Sequence, residues 1–290
     1  MTSGTYEIVR GNDTLVLSDL ANLAVLEQDG FGMAPLHRIT ERGPLQHGES
    51  DRGYRLDPRM IQMVLNLRAT DWAAHYALRQ TLIEYLSPTA AISLRHTQPD
   101  GTVRQIDCWC TDGPTFASND RSGRYQFQRA AVRLYCPDPA WYDPIRQSVR
   151  VAGGGGGTGF LFPGSVPWTF GGLDIDTDSV LPYAGTWLEY PEIVIYGPID
   201  NARIENTDTG DVLEFSGTID SGDYYVLDLR YGYKTVVDAG GVNKIGDLTA
   251  ASDLATWHLQ PGDNSINFSG ANASSVTALV VRWYNRYLGV

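Results

Sequence analysis

The sequence predicts a mainly β protein of two differently built modules. The first is an N-terminal antiparallel β-sheet or sandwich domain with one packed α-helix, and the second is a C-terminal β-sandwich. Three observations predict this. Short apolar/polar alternations recur along most of the chain and are broken by turn dipeptides. A single stretch, TDWAAHYALRQTLIEYLSP (70–88), has helical spacing with a start and a stop signal. The chain also changes character at its middle, where CPDPAWYDP (136–144) is soon followed by five consecutive glycines, Gly153 to Gly157; it is rich in Arg before this seam and acidic after it.

The first module opens on strand-like runs at 6–10 and 14–17. Residues 28–53 are polar and Gly-rich, with turn signals at Asp29-Gly30 and Gly43-Pro44. MIQMVLNLRA (60–69) alternates as a strand does, with Ile61, Met63, Leu65 and Leu67 on one face. Thr70 or Asp71 can cap the following helix, whose apolar stripe reads as Trp72, Tyr76, Leu82, Ile83 and Leu86, and Pro88 stops it. A lone His75 on that helix reads as a surface or packing residue. AISLRHT and TVRQIDCWCT flank Pro99-Asp100-Gly101, a hairpin turn, while GPTFAS and RYQFQRAAVRLYC flank a turn at Ser122-Gly123. In the last of these strands Gln126, Gln128, Ala130 and Val132 lie opposite Tyr125, Phe127 and Arg129.

Residues 151–186, rich in Gly, Pro and Asp, read as linker and loop held down by Phe160, Phe162, Trp168 and Phe170. From Glu189 the rhythm is all β. EYPEIVIYGP, ARIENTDTGDVLEFSG, DYYVLDLR, TVVDAG, ATWHLQPGDNSINFSG and SVTALVVRWYNRYLG read as strands, broken by turns at Thr209-Gly210, Ser221-Gly222, Gly240-Gly241 and Pro261-Gly262. Such spacing suits a sandwich or jelly roll.

The 290 residues suffice for two domains, and 42% hydrophobic residues exclude wholesale disorder. No apolar run nears the ~20 residues of a membrane helix. MTSGTYEIVRGNDTL has no basic region followed by an apolar stretch, so no secretory signal is expected, and synthesis is expected in a cytoplasm. The net charge of −12 is unevenly spread: 16 basic residues meet 17 acids up to Arg150, leaving −1, whereas 6 meet 17 from Val151 onward, leaving −11. Nucleic acid is repelled by such a surface, which excludes it as a specific partner. Only Lys234 and Lys244 among the 22 basic residues are lysine, as a GC-rich coding bias would give.

Chemistry-bearing patterns are absent. Cys108, Cys110 and Cys136 cannot form a paired framework, and with His96 as the only histidine near them in sequence they make no zinc set. On a strand Cys108 and Cys110 share one face with Trp109 on the other, so buried free thiols are expected. Asp174-x-Asp176-x-Asp178 occupies the first three ligand positions of a calcium loop, but Ser179 stands at the sixth and Gly185 at the twelfth, which leaves an acidic surface loop. No GxSxG and no singled-out carboxylate pair occurs. Asn12, Asn267 and Asn272 begin glycosylation-like triplets that have no meaning without secretion. The expected catalytic, cofactor and metal residues are therefore none, and assembly or binding is expected instead. Trp257 and RWYNRY (282–287) could stack on sugars, although core and cross-strand packing is the simpler reading.

The order of segments carries a resemblance. LSDL (17–20), DGFGMAPLHRITERGPLQHG (29–48), the single helix and CPDPAWYDP are followed by YPEIVIYGPIDNARIENTDTGDVLEFSGTIDSGD (190–223), LQPGDNSINFSG (259–270) and VRWYNRYLGV (281–290). Together they resemble the distal tail protein (Dit) family of siphovirus-like bacteriophages over nearly the whole chain; the glycine run is not part of that pattern. The resemblance implies a ring-forming N-terminal tail domain at 1–152, a Gly/Pro/Asp-rich linker and loop at 153–187, and a galectin-like β-sandwich at 188–290. It implies a non-enzymatic virion protein of the phage tail tip, a distal tail or baseplate hub adaptor. Six copies would form a ring between the tail tube protein and the tail-tip (tail-associated) proteins, around a channel for the genome. Tape-measure or receptor-binding proteins are further partners it allows; no cofactor, specific nucleic-acid binding or membrane binding is implied.

A galectin-like fold does not by itself bring sugar binding. The alternative from a different class is a carbohydrate-binding tail-tip module that contacts the host envelope; a glycoside hydrolase is a third, more remote one. The charge asymmetry adds an expectation. DNA slides past walls that do not hold it, so the arginines of the first module belong at subunit and tube contacts, and the lumen is acidic or uncharged.

Overall fold

The computed structural model describes residues 4–118, 124–152 and 173–290. The chain divides into two compact units, one of Met1–Pro144 with Tyr287–Val290 and the other of Ile145–Arg286.

The first unit contains β1 (Thr5–Arg10), β2 (Asp13–Val16), β3 (Leu23–Asp29), β4 (Leu36–Glu41), β5 (Ser50–Leu56), β6 (Arg59–Leu67), α1 (Trp72–Tyr85), β7 (Ile92–Thr97), β8 (Val103–Cys110), β9 (Thr115–Phe116), β10 (Gln128–Cys136) and β11 (Trp141–Tyr142). Its main sheet runs β2-β1-β7-β8-β10-β6-β3, antiparallel throughout. The centre of that sheet is the β6–β10 pair, in register with Leu65 opposite Ala130, Met63 opposite Val132 and Ile61 opposite Leu134. All six are buried, because period-two alternation turns them to one face where the helix covers them.

Asp71 caps α1: its carboxylate accepts from the Ala74 amide at 2.8 Å, a bond that also holds its carboxyl below the usual range. The buried face of α1 differs from the expected stripe. His75 and Leu82 are buried, followed by Leu86, with Leu78 and Tyr85 packed beside them, whereas Trp72, Tyr76 and Ile83 stay 49%, 58% and 42% exposed. The helix is apolar on two sides, and the side that turns inward is the one whose polar group finds a partner. His75 Nε2 lies 2.9 Å from Gln128 Oε1, and the Gln128 amide donates to the Ala117 carbonyl at 3.1 Å.

The region 28–53, expected as polar and Gly-rich with a turn at Gly43-Pro44, contains most of the β4–β5 hairpin around that turn, and the hairpin pairs with no other strand among the described residues. The sequence hides it because both faces are solvated, so no apolar alternation is needed. Exposed pairs hold it instead, Arg38 with Asp51 at 2.7 Å and Arg52 with Glu41 at 2.6 Å. The turn expected at Ser122-Gly123 lies outside the described residues.

The second unit contains β12 (Gln147–Ala152), β13 (Leu173–Tyr183), β14 (Glu192–Tyr196), β15 (Ile199–Asn206), β16 (Asp211–Glu214), β17 (Thr218–Ile219), β18 (Tyr224–Asp228), β19 (Thr235–Asp238), β20 (Gly262–Ala273) and β21 (Ala278–Trp283); β22 (Arg286–Tyr287) follows at the junction. Two antiparallel sheets, β12-β21-β14-β18-β19 and β13-β20-β15-β16, share one core: Ile193, Ile195, Leu227 and Val281 from the first meet Leu181, Ile204, Ile266 and Phe268 from the second. This is a β-sandwich.

Two readings of the middle of the chain need correction. β12, in a stretch read as no strand, pairs along its whole length with β21 and is an edge strand of the second unit, and the contacts divide the chain after Pro144 rather than after residue 152. Residues 173–183, read as linker, form β13 on β20. Ile175, Leu181 and Tyr183 point inward, and the acids between them had disguised the alternation. The rest of the expected linker, 153–172, lies outside the described residues. ATWH is likewise no strand; it belongs to the segment before β20.

Candidate functional site

Three segments of the first unit that carry distinctive sequence, DGFG, CPDPAW and the C-terminal YLGV, meet at one side chain. Arg59, the first residue of β6, is 1% exposed. Its guanidinium donates to Pro139 O (2.9 Å), Gly30 O (2.6 Å), Gly32 O (2.5 Å) and Leu288 O (2.5 Å). Among the described residues no carboxylate lies within ion-pair distance of Arg59, and burial pushes the guanidinium pKa down from its ordinary value. An arginine fork is matched to such a task, since it spreads one charge over several donors of fixed geometry.

The backbone has to approach closely here. Gly30 has φ +87°, and a Cβ on it would stand 2.2 Å from Met60 O; a Cβ on Gly289 would stand 2.9 Å from Gly32 O. Beside the guanidinium, Phe31 meets Tyr6, His96 and Trp141 at ring separations of 5.7, 5.7 and 5.3 Å, and Tyr6 stacks on His96 at 4.6 Å. The last residues complete the site. Val290 N donates to Phe31 O at 3.0 Å, and the Tyr287 ring lies 3.7 Å under the Arg104 guanidinium, which is itself paired with Asp143. Removing residues 287–290 is expected to lower the melting temperature of the first unit by about 10 °C, as loss of ~3 kcal/mol would do; differential scanning calorimetry checks it.

Exposed apolar residues gather on two surfaces of the first unit. The hairpin carries Leu36, Ile39 and Tyr54 at 40–48% exposure, and Leu45 in its loop reaches 95%. On α1, Trp72 lies 6.1 Å from Tyr76 and 5.7 Å from Tyr125, and Arg79 sits over the Tyr76 and Phe116 rings at 5.6 and 4.3 Å. Trp, Tyr and Arg together are the composition of interface hot spots.

The residues weighed for chemistry fall elsewhere. Cys108, Cys110 and Cys136 are free and buried, with Trp109 turned outward as the strand reading required. The neighbouring Cys136 thiol and burial push the Cys108 thiol up, so it stays protonated and unreactive. Among the described residues no three His, Cys, Asp or Glu side chains converge as metal ligands. His96 is taken up by its stack on Tyr6. Asp174, Asp176 and Asp178 lie on the exposed face of β13, a strand rather than a loop, where Asn267 donates to Asp176 at 2.6 Å and to Asp178 at 3.0 Å. A shallow depression of about 340 Å³ beside them is lined by Asp178, Ser179, Val180, Thr207 and Ser265. Trp257 and Trp283, the candidate sugar-stacking residues, are 0% and 3% exposed and belong to the core. No helix among the described residues is long and apolar enough to cross a membrane.

Comparison with known proteins agrees with this layout. Residues 184–287 match the family model of the siphovirus-type tail component, C-terminal domain. Among solved structures the chain is similar to the Dit protein (gp 19.1) of phage SPP1, described as a paradigm of the hub adsorption apparatus in phages that infect Gram-positive bacteria. The identity is 12%, the match covers 97% of this chain and 98% of that one, and the TM-score is 0.65. A chain of the activated phage p2 baseplate with Sr is similar at 12% identity over 96% and 97% of the two chains, with a TM-score of 0.47. No curated protein sequence matches. The chain thus has the SPP1 Dit fold over nearly its full length, and its second unit carries the siphovirus-type tail component, C-terminal domain.

Proposed function

We propose that this distal tail component is a hub adaptor: six copies close into a ring between the tail tube and the tail-tip proteins, around a channel through which the genome leaves. The observation that carries the reading is the β4–β5 hairpin, which presents exposed apolar side chains and pairs with no other strand among the described residues. A hairpin alone is marginal in water and gains stability when a neighbouring surface covers it. Head-to-tail placement of each hairpin on the next copy is the kind of heterologous contact that generates a ring when the rotation closes. An obligate contact of this type exceeds ~2,000 Å² in total.

The charges support the same arrangement. Arg38, Arg52, Arg55, Arg95, Arg104 and Arg133 each pair with a carboxylate of their own unit, so these six offer DNA no unneutralised cation. The lumen of the ring is then acidic or uncharged. Cryo-EM of intact tail tips tests the reading. A sixfold ring of this chain at the end of the tube supports it, and a ring lined by unpaired arginines, or the absence of the chain from the tip, overturns it.

A further inference from the structure

The acidic second unit carries a cluster of tyrosines and cations on the turn after β18 that its core does not use. The turn after β18 places Tyr231 and Tyr233 at 72% and 59% exposure. Tyr231 meets Tyr190 edge-on at 4.6 Å, and its hydroxyl donates to the Tyr190 hydroxyl at 2.9 Å. The Lys234 ammonium lies 4.1 Å from the Tyr190 ring and 5.4 Å from the Tyr231 ring, and donates to Ala255 O at 3.0 Å. Arg230 lies 4.5 Å over the Tyr233 ring and is neutralised by Asp228 through bonds of 2.9 and 2.6 Å.

Three features separate this cluster from ordinary surface. Arg203, Arg230, Lys244, Arg282 and Arg286 each have a carboxylate within ion-pair distance. Among the described residues of this unit Lys234 and Arg150 have none, and two of the three Lys234 N–H bonds remain for a ligand. Desolvation pushes its pKa down to about 8, against the pull of Asp228. The backbone at Lys234 is also held at φ +46°, a conformation that an L side chain adopts at a cost and that recurs at ligand sites.

We propose that Tyr190, Tyr231, Tyr233 and Lys234 form a binding site for an acidic saccharide, with a sugar ring stacked on an exposed tyrosine and its acid group on the Lys234 ammonium. Tyrosine offers a flat apolar face and a polar edge, which matches the two sides of a pyranose. An acidic saccharide fits because Lys234 offers unspent donors beside the tyrosine rings and the flanking side chains Asp228, Arg230, Thr235, Thr256 and His258 are polar. The site goes beyond the hub reading and stands whether or not the ring closes.

The test titrates the full chain by NMR with a galacturonate oligosaccharide and with its methyl ester, which keeps the sugar framework but carries no charge. The acid is expected to bind in the millimolar range and to shift signals around residues 230–234. Tyr231→Ala, at a position 72% exposed, is expected to weaken it at least about tenfold. Lys234→Asn removes the charge while keeping a residue that tolerates positive φ; it is expected to cost about threefold for the acid and nothing for the ester. Equal binding of acid and ester, binding unaffected by Tyr231→Ala, or no binding at about 10 mM overturns the proposal. So does self-association of the chain that Tyr231→Ala abolishes, because that result assigns the cluster to a protein contact.

Discussion

Excising the hairpin, residues 36–56, is expected to abolish the ring while leaving a folded chain. The Asp57 amide donates to Pro35 O at 2.9 Å, so the two ends already sit side by side and a short Gly-containing turn can bridge them. No hairpin side chain belongs to the core, so circular dichroism and the melting temperature should change little. The assembled mass is expected to collapse to that of one chain. Leu45→Asp, at a position 95% exposed, is the milder version. A charge there costs the free chain almost nothing and is expected to weaken assembly at least about tenfold, as hot-spot loss does. A ring that survives both changes would move the subunit contact to another surface.

Replacing Arg59 by Met is expected to destabilise the first unit by about 2–4 kcal/mol, because four partly buried carbonyls lose their donor. The sign is decided by two opposing terms. Removing the guanidinium relieves the cost of burying a charge, but methionine satisfies none of the carbonyls on the three segments it leaves behind. Arg59→Lys is expected to fall between parent and Met, since an ammonium has three donors and cannot span the fork. The second unit has its own core, so its transition is expected to stay in place. Calorimetry resolving two transitions checks this; an unchanged first transition would mean that water or backbone rearrangement satisfies those carbonyls.

The most legible parts of the fold were those where burial imposes a period. Ile61 to Leu67 on β6, the Asp71 cap and the hairpin turn at 99–101 follow from alternation, capping and turn chemistry. What stayed hidden has physical causes. The β4–β5 hairpin is solvated on both faces, so it leaves no apolar imprint. β13 alternates, but its outward positions are Asp174, Asp176 and Asp178, which imitate a loop. The helix has two apolar sides, and only the distant Gln128 decides that His75 turns inward.

The candidate sites behaved in the same way. The DGFG, CPDPAWYDP and terminal YLGV stretches stood out in the sequence, but their common cause, Arg59, was one arginine among many until its four carbonyl partners were placed around it. Trp257 attracted notice as an aromatic and is core, while the exposed tyrosines at 231 and 233 were passed over. Sequence gives no signal for exposure within a turn-rich sandwich.

The central claim is that this chain closes on itself as a ring. Native mass spectrometry of the purified full-length protein tests it most directly. The predicted species is a hexamer of the 31.9 kDa chain, about 190 kDa, that dissociates to monomers without passing through a dominant dimer, as a heterologous ring should. A stable dimer that excludes further copies, or a monomer at every concentration and in the presence of tail tubes, would contradict it.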